Sequence, residues 1–172
     1  MNANCLNAEG LDVPMCDSGD GIARPEGPIE EVLGTIDSPD VLEVLMEADR
    51  TREVLEALCE FADARTDDAD TRYVFRLVSD EFLENIASYA YSTGSGPVYA
   101  AVDARRGLKV ILMDRGVPFN PLEAKVPDVT VPLEERDIGG CGILISRKFA
   151  KSLEYRRIGD WNVTIAVISE DR

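Results

Sequence analysis

The spacing of hydrophobic residues along the chain changes several times, and each change marks a predicted element. An apolar run from Val41 to Met46 predicts a strand. Helical spacing then predicts an amphipathic helix from Thr51 to about Ala64 and a longer one from about Thr71 to Tyr91. The residues expected to face the core are Val54, Leu55, Leu58, Cys59 and Phe61 in the first helix and Val74, Leu77, Val78, Phe82, Leu83 and Ile86 in the second.

The second half of the chain has the pattern of strands around a long irregular segment. Val98–Val102 and Leu108–Met113 are apolar runs joined by a short Arg-Arg-Gly connection, so we expect antiparallel neighbours. Residues 114–137 contain four prolines and no regular period, which is typical of a functional lid. The remaining predicted elements are a helix from Gly142 to about Lys151 and strands at Leu153–Arg157 and Asn162–Ile168.

This order of elements predicts an α/β (α+β) two-layer sandwich, in which helices cover one face of a mostly antiparallel mixed sheet. Residues 39–172 would form that domain, because 45% hydrophobic residues in a chain of 172 suffice for one sizeable core. Residues 1–38 are rich in Asn, Asp, Gly, Pro and Ser, so we expect a flexible acidic N-terminal arm. Within it, Ile29 to Leu33 could add a turn of helix or an extra strand.

Composition narrows the classes of function. A net charge of −15 argues against a nucleic-acid surface or an anionic membrane as partner. No apolar run approaches the roughly 20 residues of a membrane span, so we expect a soluble, cytoplasmic protein. The four cysteines are scattered and the chain has no histidine, which excludes a zinc site of the usual kind and histidine-dependent catalysis. The chemistry must therefore use carboxylates, a metal or a cofactor.

One carboxylate and one amide in the longer predicted helix are suited to a metal-dependent reaction. Glu81 and Asn85 are four residues apart and share a helix face, whereas Glu84 points elsewhere. An Asn oxygen suits Mg²⁺, and a Glu one turn away could accept a proton beside the metal. The alternative is a solvated helix face with an incidental Asn.

A second candidate group follows the strand at Leu108–Met113. Asp114 at the end of that strand could accept the exocyclic amine of adenine, and Gly116 would let the backbone approach a flat ring. The alternative is an ordinary carboxylate where a strand enters a turn.

A glycine cluster precedes the last predicted helix. Gly139, Gly140 and Gly142 could present free amides to phosphate oxygens, or they could simply form a tight turn. Local positive charge is available from Arg115, Lys125, Arg136 and Arg147, each of which could equally be a solvated side chain.

Together these runs resemble the three sequence boxes of the GHKL (Bergerat-fold) ATPases, and within them the stand-alone anti-sigma-factor serine/threonine kinase branch. Val78–Ile86 is similar to the N box, Asp114–Pro121 to the G1 box and Ile138–Ile143 to the G2 box, and the resemblance extends from about Val41 to Ile168. The order and spacing of the boxes are more specific than any one of them. Many relatives have His where this chain has Tyr89.

The resemblance implies a Bergerat ATP-binding fold with ATP and Mg²⁺ held between helices and lid. It assigns Glu81 as general base, Asn85 as Mg²⁺ ligand, Asp114 as adenine contact, Gly116 as base-side turn, Gly139, Gly140 and Gly142 as phosphate-facing lid hinge, and Thr164 as the threonine near the adenine-binding Asp. The register of that threonine is open by one residue.

Two functions from different classes follow from this resemblance. The first is a protein serine/threonine kinase that phosphorylates a STAS-type anti-sigma-factor antagonist. The second is a nucleotide-dependent partner-switching module that sequesters a sigma factor or another regulator with little transfer. A degenerate fold that binds no nucleotide is a third alternative. We expect no direct nucleic-acid or membrane partner, and a homodimer is left open.

Overall fold

The computed structural model describes residues 26–34, 38, 40–92, 94–124 and 141–170 of the chain. Its helices are α1 (Glu26–Leu33), α2 (Thr51–Asp63), α3 (Ala69–Asn85) and α4 (Cys141–Phe149), with a 3-10 turn at Ala48–Arg50 and a π-helix at Ile86–Ala90. Its strands are β1 (Val41–Glu47), β2 (Pro97–Asp103), β3 (Lys109–Asp114), β4 (Ser152–Ile158) and β5 (Trp161–Val167). None of the described helices combines the length and apolarity that a membrane span requires.

The strands form one sheet in the order β1-β2-β3-β5-β4, and each neighbouring pair is antiparallel. The predicted pairing of β2 with β3 is confirmed, with Val102 opposite Val110. β3 is the central strand, and Asp114 at its end lies opposite Asn162 on the neighbouring strand β5. The sheet therefore brings together two polar residues that are far apart in the sequence.

Helices α2 and α3 cover one face of the sheet and bury the main core against it. The helix residues at the centre of this core are Val54, Leu55, Leu58, Cys59, Phe61, Phe75, Val78, Phe82, Leu83 and Ile86. They meet alternate strand residues such as Ala100 and Leu112, because side chains of a strand point to opposite faces in turn. The predicted fold class, an α/β sandwich with helices on an antiparallel sheet, is confirmed.

Helix α1 lies on the other face of the sheet and includes the segment Ile29 to Leu33, for which the sequence left a turn of helix or an extra strand open. Ile29 is fully buried and Leu33 nearly so, and both pack with Tyr99 and Met113 in a second core cluster. The Arg105 guanidinium donates to the carbonyl of Leu33 at 2.9 Å, which ties the end of α1 to the β2–β3 connection. The apolar second face of the sheet needs a cover, and the stripe at positions 29 and 33 supplies it. The domain boundary at residue 38 stays a prediction.

The long helix predicted to reach Tyr91 changes its winding on the way. Asp68 begins α3 by accepting the amide of Thr71 at 3.0 Å, which is the usual way to satisfy a free amide at a helix start. Regular α-helix ends at Asn85, and the next five residues form the π-helix. Such wide turns are rare and are frequently found at functional sites. Here the π-helix follows directly after a predicted metal ligand.

Candidate nucleotide site

A cavity opens between the end of α3, the π-helix and the ends of β3 and β5. It encloses about 520 Å³ of space, a figure that includes its open mouth and the adjoining solvent. Its lining residues are Phe82, Asn85, Ile86, Tyr89, Ala90, Leu112, Asp114, Val117, Phe119, Pro121, Asn162 and Thr164. The wall is mostly apolar with a few polar groups, which suits a flat heteroaromatic ring.

Asp114 lies deep in this cavity and is 7% exposed. Its Oδ1 accepts hydrogen bonds from the amide of Gly116 and from the side chain of Asn162, both at 2.8 Å. Burial raises the pKa of Asp114, while these two hydrogen bonds act in the opposite direction. Among the described residues no donor reaches Oδ2. That oxygen is therefore left for a donor on a ligand, such as an exocyclic amine.

Asn162 holds Asp114 in place and is a site residue that sequence reasoning missed. Its Nδ2 donates to Asp114 Oδ1 at 2.8 Å and to the Val117 carbonyl at 2.9 Å. Its Oδ1 accepts from the Tyr155 hydroxyl and from Arg157 Nη1, both at 2.8 Å. Asn is depleted in strands, so an Asn between Trp161 and Val163 was the available signal.

Thr164 lines the same cavity but is not the residue beside Asp114. The two strands pair Thr164 with Leu112, and Asp114 with Asn162. Because the side-chain period of a strand is two, Thr164 shares a face with Asn162 and lies one step further along the strand. The predicted role of Thr164 near the adenine-binding Asp stays a prediction, and on β5 the side chain that bonds to Asp114 is that of Asn162.

Gly116 presses against the end of the π-helix. A Cβ at this position would lie 2.4 Å from the carbonyl oxygen of Ala90 and 2.6 Å from its Cβ. The amide of the next residue, Val117, donates to the same Ala90 carbonyl at 3.0 Å. The glycine thus allows the turn to pack closely against Ala90, and the predicted approach of this backbone to a flat ring stays a prediction.

Asn85 reaches the cavity from the last residue of α3. Its Nδ2 donates to the Glu81 carbonyl, one turn back, at 2.7 Å. A carbonyl can only accept, so this contact fixes which end of the amide is nitrogen. The oxygen of Asn85 is then the other end, which has no hydrogen-bond partner among the described residues and is available to a ligand.

Glu81 does not line the cavity but lies one helical turn from Asn85, next to the start of α4. A Cβ on Gly142 would lie 1.5 Å from Glu81 Oε2, so the missing side chain of Gly142 leaves the space that the carboxylate occupies. Burial, followed by the charges of Asp80 and Glu84, raises the pKa of Glu81. Glu84 itself is exposed and accepts from the Ser88 hydroxyl at 3.1 Å.

Of the predicted local positive charges, the two that the structure describes, Arg115 and Arg147, do not line the cavity. Arg115 pairs with Asp160 at 3.2 Å and stacks over the Trp161 ring. Arg147 donates to the carbonyls of Pro121 and Ala124, which fastens this part of the predicted lid to α4. The other predicted residues of the lid, Lys125, Arg136, Gly139 and Gly140, lie outside the described residues.

These residues fit a nucleotide with a magnesium ion. The free oxygen of Asp114 and the mostly apolar wall suit adenine, and the free oxygen of Asn85 suits Mg²⁺. In the described ranges, no group of three cysteine or carboxylate side chains could hold a metal alone. A magnesium ion here would therefore need phosphate oxygens as further ligands, which is its common arrangement in nucleotide sites.

Comparison with known proteins points to the same chemistry. The model of the histidine kinase-like ATPase domain matches residues 44–168, a range that contains every site residue discussed above and excludes α1. The serine/threonine-protein kinase BtrW of Bordetella bronchiseptica is 30% identical over 96 residues, which cover 55% of this chain and 68% of that kinase. The family model describes an ATPase domain, and the relative is a serine/threonine-protein kinase.

Proposed function

This chain belongs to the family of histidine kinase-like ATPase domains, and from that premise we propose that it is a protein serine/threonine kinase. Membership supports ATP binding and an ATPase or kinase activity. The finer proposal is transfer of the γ-phosphoryl group of ATP, with Mg²⁺, to a Ser or Thr of a small STAS-type anti-sigma-factor antagonist. The similarity of this chain to a serine/threonine kinase supports Ser or Thr as the acceptor residue, and the STAS-type partner comes from the resemblance of its sequence boxes to the anti-sigma-factor kinase branch.

The observation that carries the proposal is the order of three side chains, two on the cavity wall and the third one helical turn beyond it. Asp114 lies at the deep end, Asn85 on the lining at the end of α3, and Glu81 one turn back beside Gly142. At 1.5 Å rise per residue, Glu81 and Asn85 are about 6 Å apart along the helix axis. Adenine, metal-bound phosphates and the reacting end of a nucleotide would meet these residues in that order.

Each side chain then has a distinct task in the transfer. Asp114 orients the base through its free oxygen, and Asn85 offers a neutral oxygen to the ion. A bound Mg²⁺ would supply neutralisation of phosphate charge. Glu81 accepts the proton of the acceptor hydroxyl. At the same time the oxygen of that hydroxyl bonds to the γ-phosphorus, and the bond between the γ-phosphorus and the ADP oxygen breaks. The raised pKa of Glu81 makes it a better proton acceptor than an ordinary glutamate.

The matched pair Glu81→Gln and Glu84→Gln tests this assignment. Both variants remove one negative charge from the same helix, but only Glu81 lies against Gly142. We expect Glu81→Gln to lose about 10²–10⁴-fold in phosphate transfer to a STAS-domain protein, with ATP affinity within about twofold of wild type. Glu84→Gln should retain transfer. The raised pKa means that ionised Glu81 costs folding stability at neutral pH, so Glu81→Gln should be no less stable than wild type.

Wild-type transfer rates in Glu81→Gln would contradict the role of the base. Mass spectrometry of candidate partners after incubation with Mg-ATP separates the kinase from the partner-switching alternative. The exposed apolar side chains of Tyr89, Val117 and Phe119 at the cavity favour that alternative, because a partner could sense a nucleotide there. ATP-dependent complexes without a gain of phosphate would support it.

A further inference from the structure

The turn that follows Asp114 is fastened to the end of the π-helix by three consecutive residues. The amide of Arg115 donates to the Tyr91 hydroxyl at 2.8 Å. Gly116 packs against the backbone of Ala90, and the amide of Val117 donates to the Ala90 carbonyl at 3.0 Å. The position of this turn therefore depends on two adjacent residues, Ala90 and Tyr91.

Tyr91 is itself held from its other side. Its hydroxyl donates to the carbonyl of Pro97, at the start of β2, at 2.5 Å. Gly96 leaves room for the ring, since a Cβ there would lie 2.2 Å from Tyr91 Cε1. Burial raises the pKa of Tyr91 to about 12, so the phenol keeps its proton and can donate and accept at neutral pH.

We propose that Tyr91 is a positioning residue for base recognition, which sets the turn at Asp114–Val117 relative to the helix that carries Asn85. The π-helix between Asn85 and Tyr91 has only five residues. Asn85 and the two contacts of the turn are thus carried by one short helical segment. A shift of the turn along that segment moves the Asp114 carboxylate relative to the Asn85 side chain. This inference rests on the nucleotide binding in the proposed function, and it does not depend on phosphate transfer.

The variant Tyr91→Phe tests it, because it keeps the ring and removes the hydroxyl. The hydrogen bond from the Arg115 amide to the Tyr91 hydroxyl is then lost. Loss of one net hydrogen bond that positions the turn should weaken ATP binding about fivefold. Binding of GTP, which lacks the exocyclic amine of adenine, should change little, so the ratio of ATP to GTP affinity should fall. Titration calorimetry of the full chain with each nucleotide and Mg²⁺ measures both affinities.

Two controls separate positioning from general loss of stability. Tyr73→Phe changes an exposed tyrosine of α3 and should leave both affinities unchanged. Leu58→Ala destabilises the fully buried core on α2, away from the cavity, and should lower the melting temperature without changing the affinity ratio of the folded protein.

Gly96→Ala provides a second, independent perturbation, because its methyl group must displace the Tyr91 ring. It should reproduce the loss of ATP selectivity with the hydroxyl still present. An affinity ratio like that of wild type in both folded variants would overturn the inference. If wild type binds ATP but transfers no phosphate, the kinase proposal fails and the role of Tyr91 is still decided by the ratio.

Discussion

Replacing Asn162 by Ala would remove the side chain that holds the carboxylate of Asp114 in place. Four hydrogen bonds of 2.8–2.9 Å disappear, two of them with the charged side chains of Asp114 and Arg157. Net contributions of about 1 kcal/mol for neutral and about 1.5–3 kcal/mol for charged partners give a gross loss of about 5–8 kcal/mol. Tyr155 and Arg157 are partly exposed and can bond to water, so about 3 kcal/mol is the expected net destabilisation.

A loss of that size should lower the melting temperature by about 6–12 °C for a chain of this length. Urea unfolding should show a lower midpoint at an unchanged slope, since the surface exposed on unfolding is nearly the same. The pKa of Asp114 should also rise further, because the Asn162 bond is one of the contacts that lower it. ATP affinity should then weaken, and weaken more as the pH falls and Asp114 protonates.

Asn120→Ala is the matched control, because the Asn120 side chain makes a single hydrogen bond to the described residues, from the amide of Leu122 within an exposed turn. It should change stability by no more than about 1 kcal/mol. The reasoning would be refuted by an Asn162→Ala protein within about 0.5 kcal/mol of wild type that binds ATP as tightly at every pH.

Two further outcomes are expected. Phosphate transfer should fall as the pH drops through the raised pKa of Glu81, since only the ionised carboxylate accepts a proton. Glu84→Gln removes a neighbouring negative charge and should therefore move this acid limb of the pH–rate profile to lower pH. An acid limb that stays in place would contradict the charge effect. Gly116→Ala should weaken ATP binding at least about tenfold by calorimetry, because its methyl group meets the backbone of Ala90; unchanged affinity would show that the turn can move freely.

Features with a local cause could be predicted from the sequence. The strands β2 and β3 are continuous apolar runs, and their pairing follows from the short connection between them. The relation of Glu81 to Asn85 depends only on helix geometry, and the side-chain contact of Asn85 with the Glu81 carbonyl lies within that one turn. Neither feature requires knowledge of a distant part of the chain.

Features that depend on distant contacts could not be predicted. The sequence left Ile29 to Leu33 open between a turn of helix and a strand, because the eight residues of α1 are too few to be stable alone and form a helix where their apolar stripe covers the second face of the sheet. The role of Asn162 depends on hydrogen-bond partners on β3, on the turn after β3 and on β4. Only the order of the strands brings these partners together. A lone Asn in a strand gives no indication of which carboxylate it will face.

The π-helix makes the spacing between the metal-ligand helix and the base-binding turn sensitive to chain length. A π-turn accommodates one residue more than an α-turn, and each residue of an α-helix rotates the chain by about 100°. Deleting one residue from Ile86–Ala90 would let α-helix continue and would carry the Ala90 carbonyl and the Tyr91 hydroxyl away from their two donors at once. Substitutions at the exposed positions Ser88 and Tyr89 leave that spacing intact. Variation in this segment should therefore change residue identity far more readily than residue number.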